Sequence, residues 1–308
     1  MCKVKNVAMF KEKDIICFLG DSITANGLWM AEVYQYLRKK YKIKCYNCGV
    51  SGSTAQNALH YLYDQCLIYN PDFVVMMFGI NDIKRELYTE ENLGNAEILK
   101  RKREALENHK TAYEKLLQAA LEVGTKIILC TPVPYDDVNE KTEYKLKCRD
   151  ALEEITIFVK ALAEKYHCNL VDLNKQMQSM LGERNIISED RVHPTDEGYH
   201  IMAQLFLHEI KETDQCNFDI PFLWEEWNRD RFRAEQELIL VNFIKYCVLL
   251  EAHYVEKKFI EECKQTAMQR YKQYEDKTTV FPQAYKAYME KIDTYDLYIG
   301  EIVKKTIF

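Results

Sequence analysis

Short apolar runs punctuate the first two-thirds of the chain, and between them apolar residues recur at helical spacing. Residues 14–20, DIICFLG, form such a run and end in glycine, as a buried strand does. A helical pattern, WMAEVYQYLRKKY, separates it from a second strand, IKCYNCG. TAQNALHYLYDQCLIY then predicts one helix, with Thr54 at its start. Residues 72–79, DFVVMMFG, are apolar on both faces and make the clearest strand of the chain. The pattern continues with a helix over about 95–123 and a strand, KIILCTP, that Pro132 ends. A helical segment over 141–166, a short strand NLVDL and a final helix TDEGYHIMAQLFLHEI complete it. Strands apolar on both faces must be covered on both. The alternation therefore predicts an α/β fold, a parallel sheet of about five strands joined by right-handed crossovers.

The pattern changes after about residue 213. Of 10 glycines only Gly300 lies beyond that point, and no strand-like run follows. Two parts are expected: residues 1–213 as an α/β domain and 214–308 as an all-α extension. In the extension Tyr285, Tyr288, Ile292, Tyr295, Ile299 and Ile302 step by threes and fours, which puts them on one helix face. The preceding helix offers Phe232, Ile239, Phe243, Tyr246 and Leu250 as a facing stripe, and a hairpin is the simplest pairing. A second copy of the chain is the alternative, which would make the extension a homo-oligomer interface. The aromatics of FLWEEW, residues 222–227, suit either packing onto the core or stacking on sugar rings.

Composition narrows the function classes. The formal net charge of −6 argues against a nucleic-acid partner. The one tight basic run, KRKR at 100–103, has acids on both sides and predicts a solvated helix face. The longest apolar stretch, residues 238–250, contains Asn242 and Lys245 and is too short to span a bilayer. The first residues show no export signal, so a cytoplasmic protein is expected. The 11 cysteines, an odd number, then suggest free thiols in a reducing compartment. Cys45 and Cys48 form a CxxC, but a single pair within a β-rich run is weak ground for zinc or redox chemistry.

In an open parallel sheet, ligands bind beyond the carboxyl ends of the strands. After the first strand come Gly20, Asp21 and Ser22; after the second, GVSGST with Gly52; after the third, GIND with Asn81 and Asp82. Before the last helix comes EDRVHPT with Asp190 and His193. Serine is a poor nucleophile at neutral pH and needs a base within hydrogen-bond reach. His193 can be that base, and Asp190, three residues earlier, can hold its other ring nitrogen and set the tautomer. Acyl transfer also needs donors where the oxyanion develops. The Ser22 N–H, the Gly52 N–H and the Asn81 side-chain amide are candidates. Each residue alone has a plainer reading: Ser22 as a helix cap, Gly52 as a turn glycine, Asn81-Asp82 as a strand-ending turn, Asp190-x-x-His193 as a loop hydrogen bond. His200 and His208 follow at helical spacing and are expected to be ordinary helix residues.

Together and in this order, GDSIT, GVSGST, GIND and DRVHP resemble the four sequence blocks of the SGNH hydrolases, the GDSL esterases and lipases. Ile23 stands where the family name has leucine, a similar-sized apolar change. The resemblance implies a flavodoxin-like three-layer α/β/α sandwich. It implies Ser22 as nucleophile, His193 as general base and Asp190 as the acid that orients it. It implies an oxyanion hole of the Ser22 N–H, Gly52 and Asn81, with Gly20, Asp21 and Asp82 structural beside the site. Such chemistry needs no metal and no cofactor, only a small-molecule ester. The forms FLGDSIT, GIND and DRVHPT are similar to the bacterial branch of acetyl-saccharide esterases, which implies acetylated sugars as substrates. A lysophospholipase or thioesterase is the alternative within the family, and a silent binding module the alternative outside it.

Overall fold

A computed structural model of the chain describes residues 9–138 and 143–218. Five parallel strands form one sheet: β1 (Ile15–Gly20), β2 (Lys44–Gly49), β3 (Phe73–Met77), β4 (Lys126–Cys130) and β5 (Asn169–Val171). The helices are α1 (Ser22–Asn26), α2 (Leu28–Tyr41), α3 (Ala55–Tyr61), α4 (Ala96–Glu122), α5 (Glu143–Lys165), α6 (Leu173–Gln178) and α7 (Asp196–Glu209). The strand order is β2-β1-β3-β4-β5. That is the flavodoxin-like order, with its switch of winding direction between β1 and β3. Helices α2 and α7 pack together, as do α3 with α4 and α4 with α5. They make two helical layers with the sheet between, the three-layer sandwich expected of strands buried on both faces.

The packing explains why these runs become these elements. Phe18 of β1, Trp29 of α2 and Phe206 of α7 meet at centroid distances of 5.0, 5.6 and 5.9 Å. All three are fully buried, and tilted aromatic contacts of this kind add to the area they remove from water. Beneath the same helices, His200 Nδ1 lies 2.9 Å from Glu32 Oε2, and Gln204 donates to Glu32 Oε1. His200 thus ties α7 to α2, while His208 lies 3.3 Å through Nδ1 from the Thr213 carbonyl oxygen.

The structure departs from the pattern in two places. The single helix expected over 54–69 does start at Thr54, whose side chain forms a reciprocal capping box with Asn57. It then gives way to one wide turn, Leu62–Cys66, where the Leu67 N–H reaches back five residues to the Leu62 carbonyl. Across this turn Tyr61, Leu62, Gln65 and Cys66 are buried while Tyr63 stays outside. The short helix α6 was not foreseen, because six residues carry no period to read, and α1 only as the helix that a capping Ser22 would open. The expected extension, with its stripe at Tyr285–Ile302 and its FLWEEW segment, lies outside the described residues save for 214–218. Among the described residues, no helix is long and apolar enough to cross a membrane.

Candidate active site

The ends of three neighbouring strands deliver the site. Gly20 is in register with Gly49 of β2 on one side and Met77 of β3 on the other. A Cβ at Gly20 would stand 2.3 Å from Thr24 Oγ1 and 2.7 Å from the Met77 carbonyl, so only glycine lets the chain turn here. Asp21, extended in backbone, caps α1 by accepting the Ile23 N–H at 3.0 Å. Ser22 is therefore the first residue of the helix and not its cap, which leaves its hydroxyl free for another partner. That partner is His193: Ser22 Oγ lies 2.7 Å from His193 Nε2, across 171 residues of chain.

The loop before α7 presents the imidazole. Ser188 N–H donates to the His193 carbonyl, the Arg191 N–H donates to the Ser188 carbonyl, and Ile187 pairs with Pro194. Arg191 takes a left-handed φ of 69° at the tip. His193 Nδ1 faces Asp190 Oδ2. Asp190 Oδ1 accepts the N–H groups of Val192 and His193, each at 2.9 Å, and the Ser188 hydroxyl at 2.8 Å. Partial burial acts to raise the Asp190 carboxyl, but the His193 ring, the two backbone donors and Ser188 outweigh it. They hold the group well below the usual carboxylate range. A hydroxyl bonded to an imidazole that is bonded in turn to an ionised carboxylate can transfer the hydroxyl proton as the oxygen attacks.

The other two turns lie on the same edge. In residues 50–53 the Ser53 N–H closes onto the Val50 carbonyl at 3.0 Å, with Gly52 at φ 76° in the third position. Nothing lies within 4 Å of where a Gly52 Cβ would stand. The glycine answers the backbone geometry of the turn, as a type II turn requires, in keeping with its plainer reading as a turn glycine. Asn81 Nδ2 donates to the Ser53 carbonyl at 3.0 Å, which uses one of its two amide hydrogens. Asp82 Oδ1 accepts the Ala55 N–H at 2.9 Å. Asp21 is 2% exposed, and burial, reinforced by the nearby Asp82 charge, pushes its carboxyl up to about 7.

Three features had no clear signal in the sequence. Ser188 holds Asp190, but a serine two residues before an acid is common in loops. The Asp136 N–H donates to the Arg191 carbonyl at 3.1 Å, tying the loop to the chain that follows β4. Third, Cys48 pairs not with Cys45 but with Cys17 and Cys66, the three sulfurs within 4.8 Å of one another. Residues three apart on a strand point to opposite faces, so the CxxC on β2 cannot act as one chelate. Burial holds the Cys17 and Cys48 thiols well above their ordinary value, and both contact backbone carbonyls, of Cys66 and Gln65.

The model of the GDSL-like lipase/acylhydrolase family matches residues 18–201, a span that contains all four turns. The chain belongs to this family. Among its relatives, an acetylxylan esterase of Xylanibacter ruminicola is 29% identical over 227 residues, covering 68% of this chain and 45% of that protein. This chain thus spans less than half the length of that relative. An acetylxylan esterase of Geobacillus stearothermophilus is 27% identical over 215 residues, covering 63% of this chain and 93% of that one. The solved structure of an acetylxylan esterase from the same organism matches with a TM-score of 0.55 and 25% identity, over 65% of this chain and 95% of that chain.

Proposed function

We propose that the chain is a serine carboxylic-ester hydrolase that removes short acyl groups, acetyl above all, from small hydroxylated substrates such as saccharides. The observation that carries this reading is the line from Ser22 Oγ through the His193 ring to Asp190. Family membership supports the reaction class, and the acetylxylan esterases among the relatives support the acyl and alcohol parts. In this mechanism His193 Nε2 takes the Ser22 proton as Oγ attacks the ester carbonyl. The negative oxygen is held by the Ser22 and Gly52 N–H groups and by the amide hydrogen that Asn81 has left over. The alcohol departs with the proton from His193, and water, activated by the same imidazole, releases the acid. Asp21, Gly20 and Asp82 shape the turns and take no part in bond making. We take residues 1–213 as the hydrolytic unit, since all these residues precede its end. The odd number of cysteines favours work in a reducing compartment such as the cytoplasm.

Ser22→Ala should lower kcat on p-nitrophenyl acetate by about 10⁴-fold or more while the circular dichroism spectrum stays native. Undiminished turnover would reject the assignment. Across p-nitrophenyl esters of rising chain length, kcat/KM should be highest for acetate. A preference for decanoate would point instead to a lysophospholipase.

A further inference from the structure

Behind the turn that carries Asn81 lies a buried pair that the hydrolytic mechanism leaves unused. Asp82 is 4% exposed and His109, on α4, 1%. His109 Nδ1 stands 2.9 Å from Asp82 Oδ1. The approach is close but off the line of a well-formed hydrogen bond, and Asp82 Oδ2 and both His109 ring nitrogens have no hydrogen-bond partner among the described residues. Asp82 Oδ1 also accepts the Ala55 N–H at 2.9 Å, and its neighbour Asn81 donates to the Ser53 carbonyl at 3.0 Å. Residues 81 and 82 therefore grip residues 53–55, the segment that leaves Gly52. The two oxyanion donors that lie outside α1 are held to each other through this grip.

The helix behind is anchored to the same strand end. Tyr113, one turn after His109 on α4, donates its hydroxyl to the Met76 carbonyl of β3 at 3.1 Å. The His109 ring sits 5.2 Å from the Tyr113 ring and 6.1 Å from that of Phe158, which limits how it can turn. A buried carboxylate with one backbone donor turns toward any further donor in reach, because leaving it unpaired is costly. The imidazole is the side chain placed to supply that donor.

We propose that His109 is a positioning residue for the reaction: its Nδ1–H holds Asp82, and Asp82 holds the turn that aims Asn81 and the Gly52 segment at the developing oxyanion. His109 touches no substrate and acts only through Asp82. The inference rests on the hydrolase reading above and adds to it a residue on α4, outside the four turns.

The test is steady-state kinetics on p-nitrophenyl acetate. His109→Leu keeps an apolar side chain in the slot and removes the donor; His109→Asn keeps an N–H near the Nδ1 position. The Leu variant should lower kcat about 10-fold with KM within about 2-fold, a part of the roughly 10²-fold or greater cost of deleting an oxyanion donor. The Asn variant should recover most of that loss. In an Asn81→Ala background the Leu change should cost less than about 2-fold, because the donor it aims is already gone. Equal fold losses in both backgrounds, or full kcat in a folded His109→Leu protein, would overturn the inference. Should the Leu variant not fold, His109→Asn against His109→Gln makes the same comparison. The longer Gln amide reaches the Nε2 side, so equal kcat in the two would overturn the proposal. Ser22→Ala, run alongside, separates the two readings: a fully active Ser22→Ala protein rejects the hydrolase itself, whereas an inert one beside an unimpaired His109→Leu rejects only the positioning role.

Discussion

Two regions of the molecule each set an aspartate beside a residue of the proposed relay, and they treat it in opposite ways. At the β1–α1 junction Asp21 is buried under the sheet edge, with one backbone donor on its carboxylate and a second acid, Asp82, close by. In the loop before α7 Asp190 is half exposed and carries two backbone donors, a hydroxyl and an imidazole. Burial pushes the first up to about 7, while the donors hold the second well below its ordinary range. Nearness to the serine in sequence thus says little about which acid serves the histidine. The number and charge of the groups each carboxylate faces decides it: Asp21 supports the turn, and Asp190 is ready to support a positive ring.

The largest effect is expected at the loop. Asp190→Asn should lower kcat on p-nitrophenyl acetate by about 10³ to 10⁴-fold with little change in KM, since the amide keeps the shape but no longer fixes the imidazole tautomer. Activity near wild type would mean that Asp190 is only a loop fastener. Ser188→Ala is a milder probe of the same carboxylate. It removes one of three donors to Oδ1, so a loss in kcat of about 3- to 10-fold is expected, on the order of one ordinary hydrogen bond in a half-exposed loop.

The other side of the comparison is an effect on stability and comes from the junction. Unfolded, Asp21 gives up its proton near pH 4; folded, it keeps the proton up to about 7. Between those values the native state holds the extra proton, so raising the pH through this window costs stability. The wild type should lose roughly 2 to 3 kcal/mol from this group between pH 5 and pH 8. Asp21→Asn, which keeps a good capping residue, should remove that slope. Denaturant melts at the two pH values measure it, and parallel slopes in both proteins would show that Asp21 is not the buried acid responsible.

Much of this was legible beforehand because it is local. The apolar runs specified β1, β3 and β4, since a strand buried on both faces leaves a nearly unbroken apolar signature. Asp190 and His193 could be paired from their spacing alone, because three residues of turn bring an acid back to a ring. Thr54 could be recognised as a cap by its own chemistry. What escaped was decided by contacts between distant segments. The wide turn at Leu62–Cys66 follows from how that segment packs on the sheet, and the meeting of Cys48 with Cys17 and Cys66 follows from strand register. His109 lies 27 residues beyond Asp82 on an otherwise ordinary helix, and nothing in its neighbours marks it.

By itself the sequence determined the order of elements, the residues at each strand end and the kind of chemistry they can do, because propensity, periodicity and side-chain type act over a few residues. Only the tertiary structure decided that Asp21, and not Ser22, caps the first helix, that Ser22 therefore meets His193, and that a buried imidazole stands behind the Asn81 turn. Those outcomes depend on which donor reaches which acceptor once the chain is packed, and burial sets how strongly each of them is felt.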